Sequence, residues 1–418
     1  MATPKLKLGN DKWATKQRSL LAFNDEGNNF KSLPFQVERL SGGSYKGRNG
    51  LIQYAATEEP RIDFTNYSKG ALLLEPQRTN LKTNSEAVNN WTQSNISTST
   101  NQTTAPDGTN NADKIIENSG SGSHKVYEGV STTSGQVYTW SVFLKSDTRS
   151  KVRLNIFGAY AEFDVTNQTL LTQSGITSYK IEDYGNGWGR FSITETANAS
   201  STLTYVYLLN DSGSVSYTGD GSSGLFVWGG QLEQGSYSTS YTPTADSTAT
   251  RIADLTENDS IPGDLINSTE GTLFIDFEYL YETTTDSSTD ANRDYFVLGT
   301  SADLSEGVSF DNYRSQFRVF IYQSSGNIFI GNSGAGAAQP NTRYKLAVKY
   351  KTGDCKAYLN GSLLGSSTGT VSFATDLNGI FFSYNSGSRP YKNQKRVYDL
   401  QYFNTALTDA ELQTLTTL

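Results

Sequence analysis

The sequence predicts an all-β protein built from two antiparallel β-sandwiches in tandem. Runs such as YTWSVFLKS alternate apolar and polar residues, which is the pattern of a strand with one buried face. The chain contains 38 Gly and only 18% charged residues. Many short strands joined by Gly and Asn turns have this composition. The 418 residues suffice for two or three domains of about 100–200 residues each.

Residues 1–84 are expected to form an extended region and not a packed domain. The first twenty residues contain one acid, Asp11, and little apolar periodicity. Their basic residues are Lys5, Lys7, Lys12, Lys16 and Arg18. A segment that cannot bury its own surface is either disordered or ordered by a partner. The apolar patches that follow are broken by Gly, Pro and Asn, which is typical of extended chain with turns.

The first sandwich is expected over residues 85–250. Further alternating runs are KVRLNIF, GRFSIT, LTYVYLL and GLFVWGGQLE, with Gly and Asn turns between them. In YTWSVFLKS the expected strand is half-buried, and one face carries Tyr138, Trp140, Val142 and Leu144. Trp188 and Trp228 also lie within or beside strand runs, so core packing is expected for them. This density of strands predicts a sandwich or a jelly roll.

A second sandwich is expected over residues 262–418, after a polar linker near 250–262. The run GTLFIDFEY alternates like a strand. Asn360 and Gly361 stand between two strand-like runs, and this dipeptide is a strong hairpin signal. Thr408 precedes Glu411 by three residues, which predicts a capping box at the start of a short helix.

Composition and charge exclude several classes of protein. The single cysteine, Cys355, cannot form an internal disulfide, and one cysteine with one histidine cannot build a Cys/His zinc site. The net charge of -8 disfavours a nucleic-acid binder, which needs clustered Lys and Arg. The sequence has no apolar run near the ~18 residues that span a bilayer, and no signal peptide at its start. We therefore expect a soluble product made in the cytoplasm, without membrane insertion.

Few residues have the pattern of a catalytic site. A Ser-His-Asp triad needs a histidine, and His124 lies in the run SGSGSHKVYEG, where a solvated loop is expected. Asp276 and Glu278 share a strand face about 6.6 Å apart at ~3.3 Å per residue, which is compatible with paired-carboxylate chemistry. Glu162 and Asp164 have the same spacing. Neither pair has a third acid in a short Glu-Asp-Glu arrangement, so we expect solvated charges and no enzymatic activity.

A structural calcium site is possible on the acidic loop TTTDSSTDANRD. Calcium needs several oxygen ligands, and this loop supplies Asp286, Asp290 and Asp294. Further acids follow at Asp303, Glu306 and Asp311. The spacing is not that of an EF-hand, and an acidic loop that only aids solubility is the alternative interpretation.

The candidate sugar-binding residues are tyrosines in polar loops. Sugar sites in β-sandwiches combine an aromatic surface with polar side chains that bind hydroxyls. Tyr313 lies in FDNYRSQ, and SYNSGSRPYKN contains Tyr384, Arg389, Tyr391 and Asn393. The alternative interpretation of both segments is an ordinary surface turn.

Several strings resemble one group of proteins. GALLLEPQRTNL (70–81), preceded by NGLIQYAATEEPRIDF (49–64), resembles a segment of bacteriophage tail-fibre and other virion-surface proteins that precedes a jelly roll like a carbohydrate-binding module. PDGTNNADKI (106–115), YGNGWGRFSIT (184–194) and GGQLEQGSYSTSYTPTADSTATRIAD (229–254) resemble parts of that jelly roll. LINSTEGTLFIDF (265–277) and VYDLQYFNTALTDAELQTLT (397–416) resemble the opening and closing of a concanavalin A-like, laminin-G-type domain.

This resemblance implies a non-enzymatic virion-surface protein, made in the host cytoplasm, whose two lectin-like sandwiches are displayed outward. The region 1–84 would attach to other virion proteins, and the domain over 262–418 would bind a host surface glycan as receptor. Related proteins are often homotrimers, and laminin-G-like domains often hold calcium. The alternatives are a purely structural decoration or adaptor protein, whose sandwiches pack against neighbouring subunits, and a depolymerase.

Overall fold

The structure confirms the all-β prediction, with antiparallel β-sandwiches in both of the units into which the chain divides. This computed structural model describes residues 2–16, 18–22, 33–280, 294–302, 305–313, 315–334, 336–383 and 395–418. Unit 1 comprises Met1–Gly42, Ala55–Gln77 and Ile252–Leu418. Unit 2 comprises Gly43–Tyr54 and Arg78–Arg251.

The strands before residue 85 are β1 (Leu6–Gly9), β2 (Ala14–Lys16), β3 (Ser19–Ala22), β4 (Leu33–Glu38), β5 (Gly43–Lys46), β6 (Ile52–Ala55), β7 (Ile62–Asp63), β8 (Ala71–Leu74) and β9 (Arg78–Asn80). A 3₁₀ turn over Val88–Asn90 follows. The next strands are β10 (Thr92–Ser94), β11 (Ile96–Thr103), β12 (Ala112–Glu117), β13 (Ser121–Ser131), β14 (Val137–Ser146), β15 (Lys151–Ile156), β16 (Ala159–Asp164), β17 (Thr169–Ser174), β18 (Ser178–Gly185), β19 (Trp188–Thr196), β20 (Ser201–Leu208), β21 (Ser216–Thr218), β22 (Gly224–Gln234) and β23 (Ala249–Arg251).

The remaining strands are β24 (Leu255–Asn258), β25 (Glu270–Tyr279), β26 (Asp294–Gly299), β27 (Gly307–Tyr313), β28 (Gln316–Tyr322), β29 (Ile328–Asn332), β30 (Arg343–Lys351), β31 (Cys355–Leu359), β32 (Ser362–Ser367), β33 (Gly379–Phe381) and β34 (Lys395–Phe403). Helix α1 spans Asp409–Thr416. No helix in the described part of the chain is long and apolar enough to cross a membrane.

In unit 1 the strands form one hydrogen-bonded ribbon that folds into two layers. Its order is β8, β34, β25, β30, β31, β32, β29, β28, β27, β26, β33, β24, β4, β3 and β2. Successive side chains of β25 point to opposite faces of the sheet, and Phe277 points inward. Its ring lies 5.8 Å from the Phe296 ring and 5.1 Å from the Phe310 ring. These contacts across the layers form the unit 1 core.

The described N-terminal strands belong to this sandwich. β1 pairs with β34 from Leu6 opposite Tyr402 to Gly9 opposite Asp399, and β3 pairs with β4. Leu6, Leu8 and Leu20 are buried in the core. The structure thus differs from the expectation of an unpacked region over 1–84. Strands of about four residues are too short to show a clear period, and their partners lie at the other end of the chain.

In unit 2 two sheets face each other. One has the order β10, β13, β20, β15, β16, β17, and the other has the order β11, β12, β22, β14, β19, β18. Their inner side chains, including Trp140, Leu154 and Val206, form a shared core. The alternation of β20 is regular, because Thr202, Thr204, Val206 and Leu208 are buried and the residues between them are not.

Strand β14 is buried on both faces, whereas the sequence predicts a half-buried strand. Thr139 and Ser141 on its second face are fully buried. Arg190 donates to Ser141 Oγ over 3.0 Å and to the Thr239 carbonyl over 2.6 Å. The polar segment after β22 therefore covers this face, which a local alternation pattern cannot reveal. The core positions expected for Trp140, Trp188 and Trp228 are confirmed.

Two local predictions are confirmed in unit 1. Asn360 and Gly361 both have positive φ, at 48° and 78°, and join β31 to β32 in a two-residue hairpin. Thr408 caps α1, since its side chain accepts from the Glu411 amide while the Glu411 side chain accepts from the Thr408 amide.

The string GALLLEPQRTNL supplies buried polar groups to each unit. In unit 1, Arg61 donates to Glu75 over 2.7 Å and also pairs with Asp254, which accepts from Arg39 over 2.8 Å. All four side chains are buried. Removing one partner from such a network leaves an unpaired buried charge, which costs about 3–5 kcal/mol. Glu75, the member of this network that belongs to the string, therefore has a structural role.

In unit 2 the same string contributes Asn80, whose side chain is satisfied by backbone groups. Its Nδ2 donates to the carbonyls of Gly230 and Thr242, and its Oδ1 accepts from the amides of Leu232 and Lys82. Asn80 thus holds this segment against β22 and the residues that follow it. A buried amide with four backbone partners explains why asparagine fits here.

Candidate functional site

The outer face of the first sheet of unit 2 carries a cluster of half-buried tyrosines. Tyr127 lies on β13, Tyr205 and Tyr207 on β20, and Tyr160 on β16. Each alternates with buried residues such as Val126 in β13, so the pleat directs the tyrosines away from the core. We name this face the tyrosine platform.

Strand register arranges the platform into two rows. The first row consists of Tyr127, Tyr205, Asn155 and Tyr160, which are direct cross-strand partners in that order. The second row consists of Lys125, Tyr207, Arg153 and Glu162. Each row crosses three strand spacings, so it extends about 14 Å at ~4.8 Å per strand.

The rings and cations of the platform are in direct contact. The Tyr205 ring lies 5.2 Å from the rings of both Tyr207 and Tyr127. Lys125 Nζ lies 5.1–5.7 Å from the centres of all three rings. The guanidinium carbon of Arg153 lies 3.9 Å from the centre of the Tyr160 ring. These contacts hold the aromatic side chains in fixed orientations.

The polar tips of the platform are available for a ligand. Within the described residues, no protein group forms a hydrogen bond with the hydroxyls of the four platform tyrosines, the Asn155 amide or the Lys125 ammonium. Burial raises the pKa of Tyr205 and of Tyr207, so both phenols stay protonated near neutral pH. Each can donate one hydrogen bond and accept others.

Arg153 is positioned by an ion pair with Glu162. Its Nε donates to Glu162 Oε1 over 2.9 Å, and its Nη2 donates to the same oxygen over 2.5 Å. Glu162 is buried, so the pair is shielded from water on one side. No acceptor for Nη1 is found among the residues that the structure describes. The guanidinium therefore keeps donors for a ligand.

A shallow pocket of about 400 Å³ continues the platform beyond Tyr127 and Tyr205. It is lined by Gly129, Val130, Ser131, Ser201, Thr202 and Leu203. Gly129 lies opposite Leu203, whose side chain is 38% exposed. The missing side chain at Gly129 leaves this space open. The platform and the pocket can together contact the apolar side of an extended ligand and bind its polar rim.

The sugar-binding residues expected from the sequence are placed only in part. Tyr313 ends β27, with the Arg318 guanidinium carbon 4.3 Å from the centre of its ring. Arg318 in turn pairs with Asp311. Tyr384, Arg389, Tyr391 and Asn393 lie outside the described residues, so the loop site stays a prediction.

The predicted calcium ligands are also placed only in part. Asp286, Asp290, Asp303 and the side chain of Asp294 lie outside the described residues. Glu306 accepts from the amides of Ala374 and Thr375. The described residues contain no group of three or more acids, His or Cys that could hold a metal. Calcium stays a prediction that a melting temperature with and without chelator would test; an unchanged value would contradict it.

The residues weighed for catalysis have other partners. His124 is not in a solvated loop but fully buried in β13, with Nδ1 2.8 Å from the Asn95 carbonyl oxygen. Asp276 is also buried and accepts from two nitrogens of Arg343 over 2.6 Å each. Glu278 accepts from Arg396 and Tyr398. The solvated charges expected at Asp276 and Glu278 are thus paired instead.

The tyrosine platform is not among the sites predicted from the sequence. In KVY the buried Val126 precedes Tyr127, and in LTYVYLL Tyr205 and Tyr207 alternate with buried residues. This alternation was the available signal for an outward aromatic face. The two rows, however, combine strands that are far apart in sequence, and only the register reveals them.

Comparison with known proteins gives partial structural matches. No family model matches the chain, and no curated protein sequence matches it. The CBM40 module of a Ruminococcus gnavus IT-sialidase, solved with α2,3-sialyllactose, is 13% identical over 36% of this chain and 84% of that chain, with a TM-score of 0.28. Domain 4 of an extracellular arabinanase from Geobacillus stearothermophilus, solved with arabinotriose, is 16% identical over 44% and 83%, with a TM-score of 0.29.

A third similar structure is the receptor-binding domain of a botulinum neurotoxin C/D mosaic serotype. It is 12% identical over 39% of this chain, with a TM-score of 0.31. The match spans only 40% of that domain. The three TM-scores lie below 0.5, so these similarities are partial.

Proposed function

We propose that the protein binds a host surface glycan through the tyrosine platform of unit 2. The observation that carries the proposal is the Tyr127 row, in which three tyrosines and Asn155 lie side by side with polar tips that lack protein partners in the described structure. A sugar ring has an apolar face of C–H groups and a rim of hydroxyls. Aromatic rings contact the face, and tyrosine, amide and ammonium groups bind the rim.

The platform is better suited to glycan than to packing against a neighbouring subunit. Packing surfaces are centred on large apolar side chains and exclude free polar groups from their centre. Here the centre consists of Tyr205, Tyr207 and Asn155, which keep polar tips at the surface. A face of this kind stays hydrated until a ligand with matching hydroxyls replaces the water.

The biological setting that we favour is the virion surface of a bacteriophage, with the protein acting as a homotrimeric receptor-binding component without catalysis. The resemblance of GALLLEPQRTNL and the strings that follow it supports this setting. The N-terminal residues would then contact other virion proteins. Since β1 and β3 are part of unit 1, that contact would use polar side chains on or beside these strands, such as Lys7 of β1 and Lys5 just before it.

The proposal is tested by probing an array of bacterial surface polysaccharides with the purified protein, and by measuring its mass by light scattering. We expect binding to a subset of polysaccharides, and loss of that binding in a Tyr205→Ala/Tyr207→Ala variant. A matched control is Tyr179→Ala, which removes an exposed tyrosine from the other sheet of unit 2. A wild-type protein that binds no polysaccharide contradicts glycan binding, and a monomer contradicts the homotrimer.

A further inference from the structure

The outer face of β25, β30 and β34 in unit 1 contains a second polar groove. Asp276 at its centre lies directly opposite Lys345 on one side and Asp399 on the other. The groove has a volume of about 360 Å³, within the range of small-ligand sites. Tyr67 and Gln401 also line it.

Most charged groups of this groove are already paired. Arg343 holds Asp276 through two hydrogen bonds, and its guanidinium carbon lies 4.5 Å from the centre of the Tyr67 ring and 4.3 Å from that of Tyr398. These contacts make a rigid floor. Lys345 donates to the Thr417 carbonyl, and Lys69 donates to Asn10 Oδ1 over 2.9 Å. An ammonium has three donors, so both lysines can also donate into the groove.

Asp399 is the exception. Its side chain is only 9% exposed, and Oδ2 accepts from Gln401 Nε2 over 2.7 Å. In the described part of the chain, Oδ1 has no hydrogen-bond partner. Oδ1 is accessible from the groove and not sealed in the core. A carboxylate oxygen that opens into a cavity can accept a hydrogen bond from a ligand hydroxyl.

The surrounding charges restrict the chemistry of that ligand. A cation would be repelled by Lys7, Lys69 and Lys345, and an anion would be repelled by Asp399, which holds the open acceptor. A neutral ligand with several hydroxyls can donate to Asp399 and accept from the lysines at the same time. The Tyr67 ring offers an apolar contact beside these groups.

We infer that this groove is a second binding site, which takes one or two units of a neutral saccharide through Asp399, Lys69 and Lys345. The site is independent of the tyrosine platform, because it uses only residues of unit 1. The saccharide hydroxyls donate to ionised Asp399, so protonation of Asp399 weakens the binding.

The charged groups around Asp399 set the pH range of this effect. Burial raises the pKa of Asp399 to about 6, and Asp276 of β25 acts in the same direction. Lys7 of β1 and Lys345 of β30 oppose the shift. Asp399 is about 90% protonated at pH 5 and almost fully ionised at pH 7.5, so affinity is expected to fall about tenfold between these conditions.

The test uses the full chain with Tyr205→Ala/Tyr207→Ala, so that the platform does not contribute. Saturation-transfer NMR and titration with neutral malto-, cello- and galacto-oligosaccharides are performed at pH 7.5 and pH 5. We expect one class of oligosaccharide to bind, with about tenfold weaker affinity at pH 5. Asp399→Asn should lose the binding at pH 7.5, while Asp211→Asn, at a carboxylate that is 94% exposed in unit 2, should keep it.

Three results would overturn the inference: no oligosaccharide binds the platform variant, Asp399→Asn binds as tightly as its parent, or affinity does not change between the two pH values. Thermal unfolding checks that the Asp399→Asn variant is folded. A negative result for the groove would not contradict glycan binding by the platform, because platform binding is measured in protein with Asp399 and both tyrosines intact.

Discussion

Unit 1 and unit 2 each present an aromatic and charged sheet face, and the two faces differ in how their polar groups are used. In unit 1, the Tyr398 hydroxyl donates to Glu278, and the Tyr67 hydroxyl accepts from Arg343. In unit 2, the hydroxyls of Tyr205 and Tyr207 have no protein partner among the described residues. Similar residue types thus build a largely paired face in one unit and an open face in the other.

The comparison shows that composition alone does not identify a binding face. A tyrosine or arginine whose polar atoms are consumed by neighbours stabilises the fold, and one whose polar atoms remain available can bind a ligand. By this criterion the platform of unit 2 is open except at the Arg153–Glu162 ion pair. In the unit 1 groove the available acceptor is concentrated at Asp399.

The largest effect is expected from Arg343→Ala, which breaks the paired face. The substitution leaves the buried Asp276 carboxylate without its two donors, so the free energy of unfolding should fall by about 2–4 kcal/mol. Lys125→Ala on the platform removes exposed cation–π contacts but no hydrogen bond, and should lower stability by about 1 kcal/mol or less. Urea unfolding measures both. Equal losses in the two variants would contradict the distinction between the faces.

Asp399→Asn should raise the free energy of unfolding, whereas Arg343→Ala lowers it. The pKa of Asp399 is raised from 3.8 to about 6 in the folded state. Below pH 3.8 the buried carboxyl is therefore neutral and has no charge to bury, and the free energy of unfolding falls as pH rises through about 6. Asparagine has no charge to bury, so the variant should be more stable by up to about 3 kcal/mol near pH 7.5. Near pH 3 the two proteins should unfold alike. A variant that is less stable at pH 7.5 would contradict the cost assigned to this carboxylate.

A smaller effect is expected from Gly129→Val beside the platform. A Cβ atom at Gly129 would lie 3.5 Å from Leu203 Cδ2, which is an ordinary contact, so the strand should tolerate valine. The side chain would fill part of the shallow pocket. Glycan affinity should fall by about fivefold, or roughly 1 kcal/mol, if the ligand extends into the pocket. Unchanged affinity in a titration would confine the ligand to the tyrosine rows.

The smallest effect is expected from Lys125→Gln. The ammonium contacts three rings without a hydrogen-bonding partner in the described structure. Its loss should weaken glycan binding by about two- to threefold, because glutamine can replace part of the hydrogen bonding that the ammonium offers to hydroxyls. A much larger loss that disappears at high salt would indicate an acidic glycan.

The parts of the fold that local patterns specify are those that the sequence predicts. The Asn360–Gly361 hairpin and the Thr408 cap depend on residues within four positions of one another, and both are confirmed. β1 depends on β34 and could not be predicted locally. His124 looks like a loop residue among Gly and Ser, yet its strand is fixed by pairing with β20.

The candidate sites depend even more on long-range register. Tyr127, Tyr205 and Asn155 become neighbours only when β13, β20 and β15 pair, and Asp276 meets Asp399 only through the pairing of β25 with β34. A single sequence shows the outward position of each residue but not its neighbours. The sequence instead favours the loop SYNSGSRPYKN, because one short segment combines two aromatic residues, an arginine and glycine.

The most direct test of the account is the affinity of the wild type, Tyr205→Ala/Tyr207→Ala and Tyr179→Ala for one polysaccharide that the wild type binds. We expect the double variant to lose at least about tenfold in affinity, as for residues at the centre of a binding face. Tyr179→Ala should bind like the wild type, and all three proteins should unfold cooperatively. Equal affinity of the wild type and the double variant would contradict the platform as the glycan site.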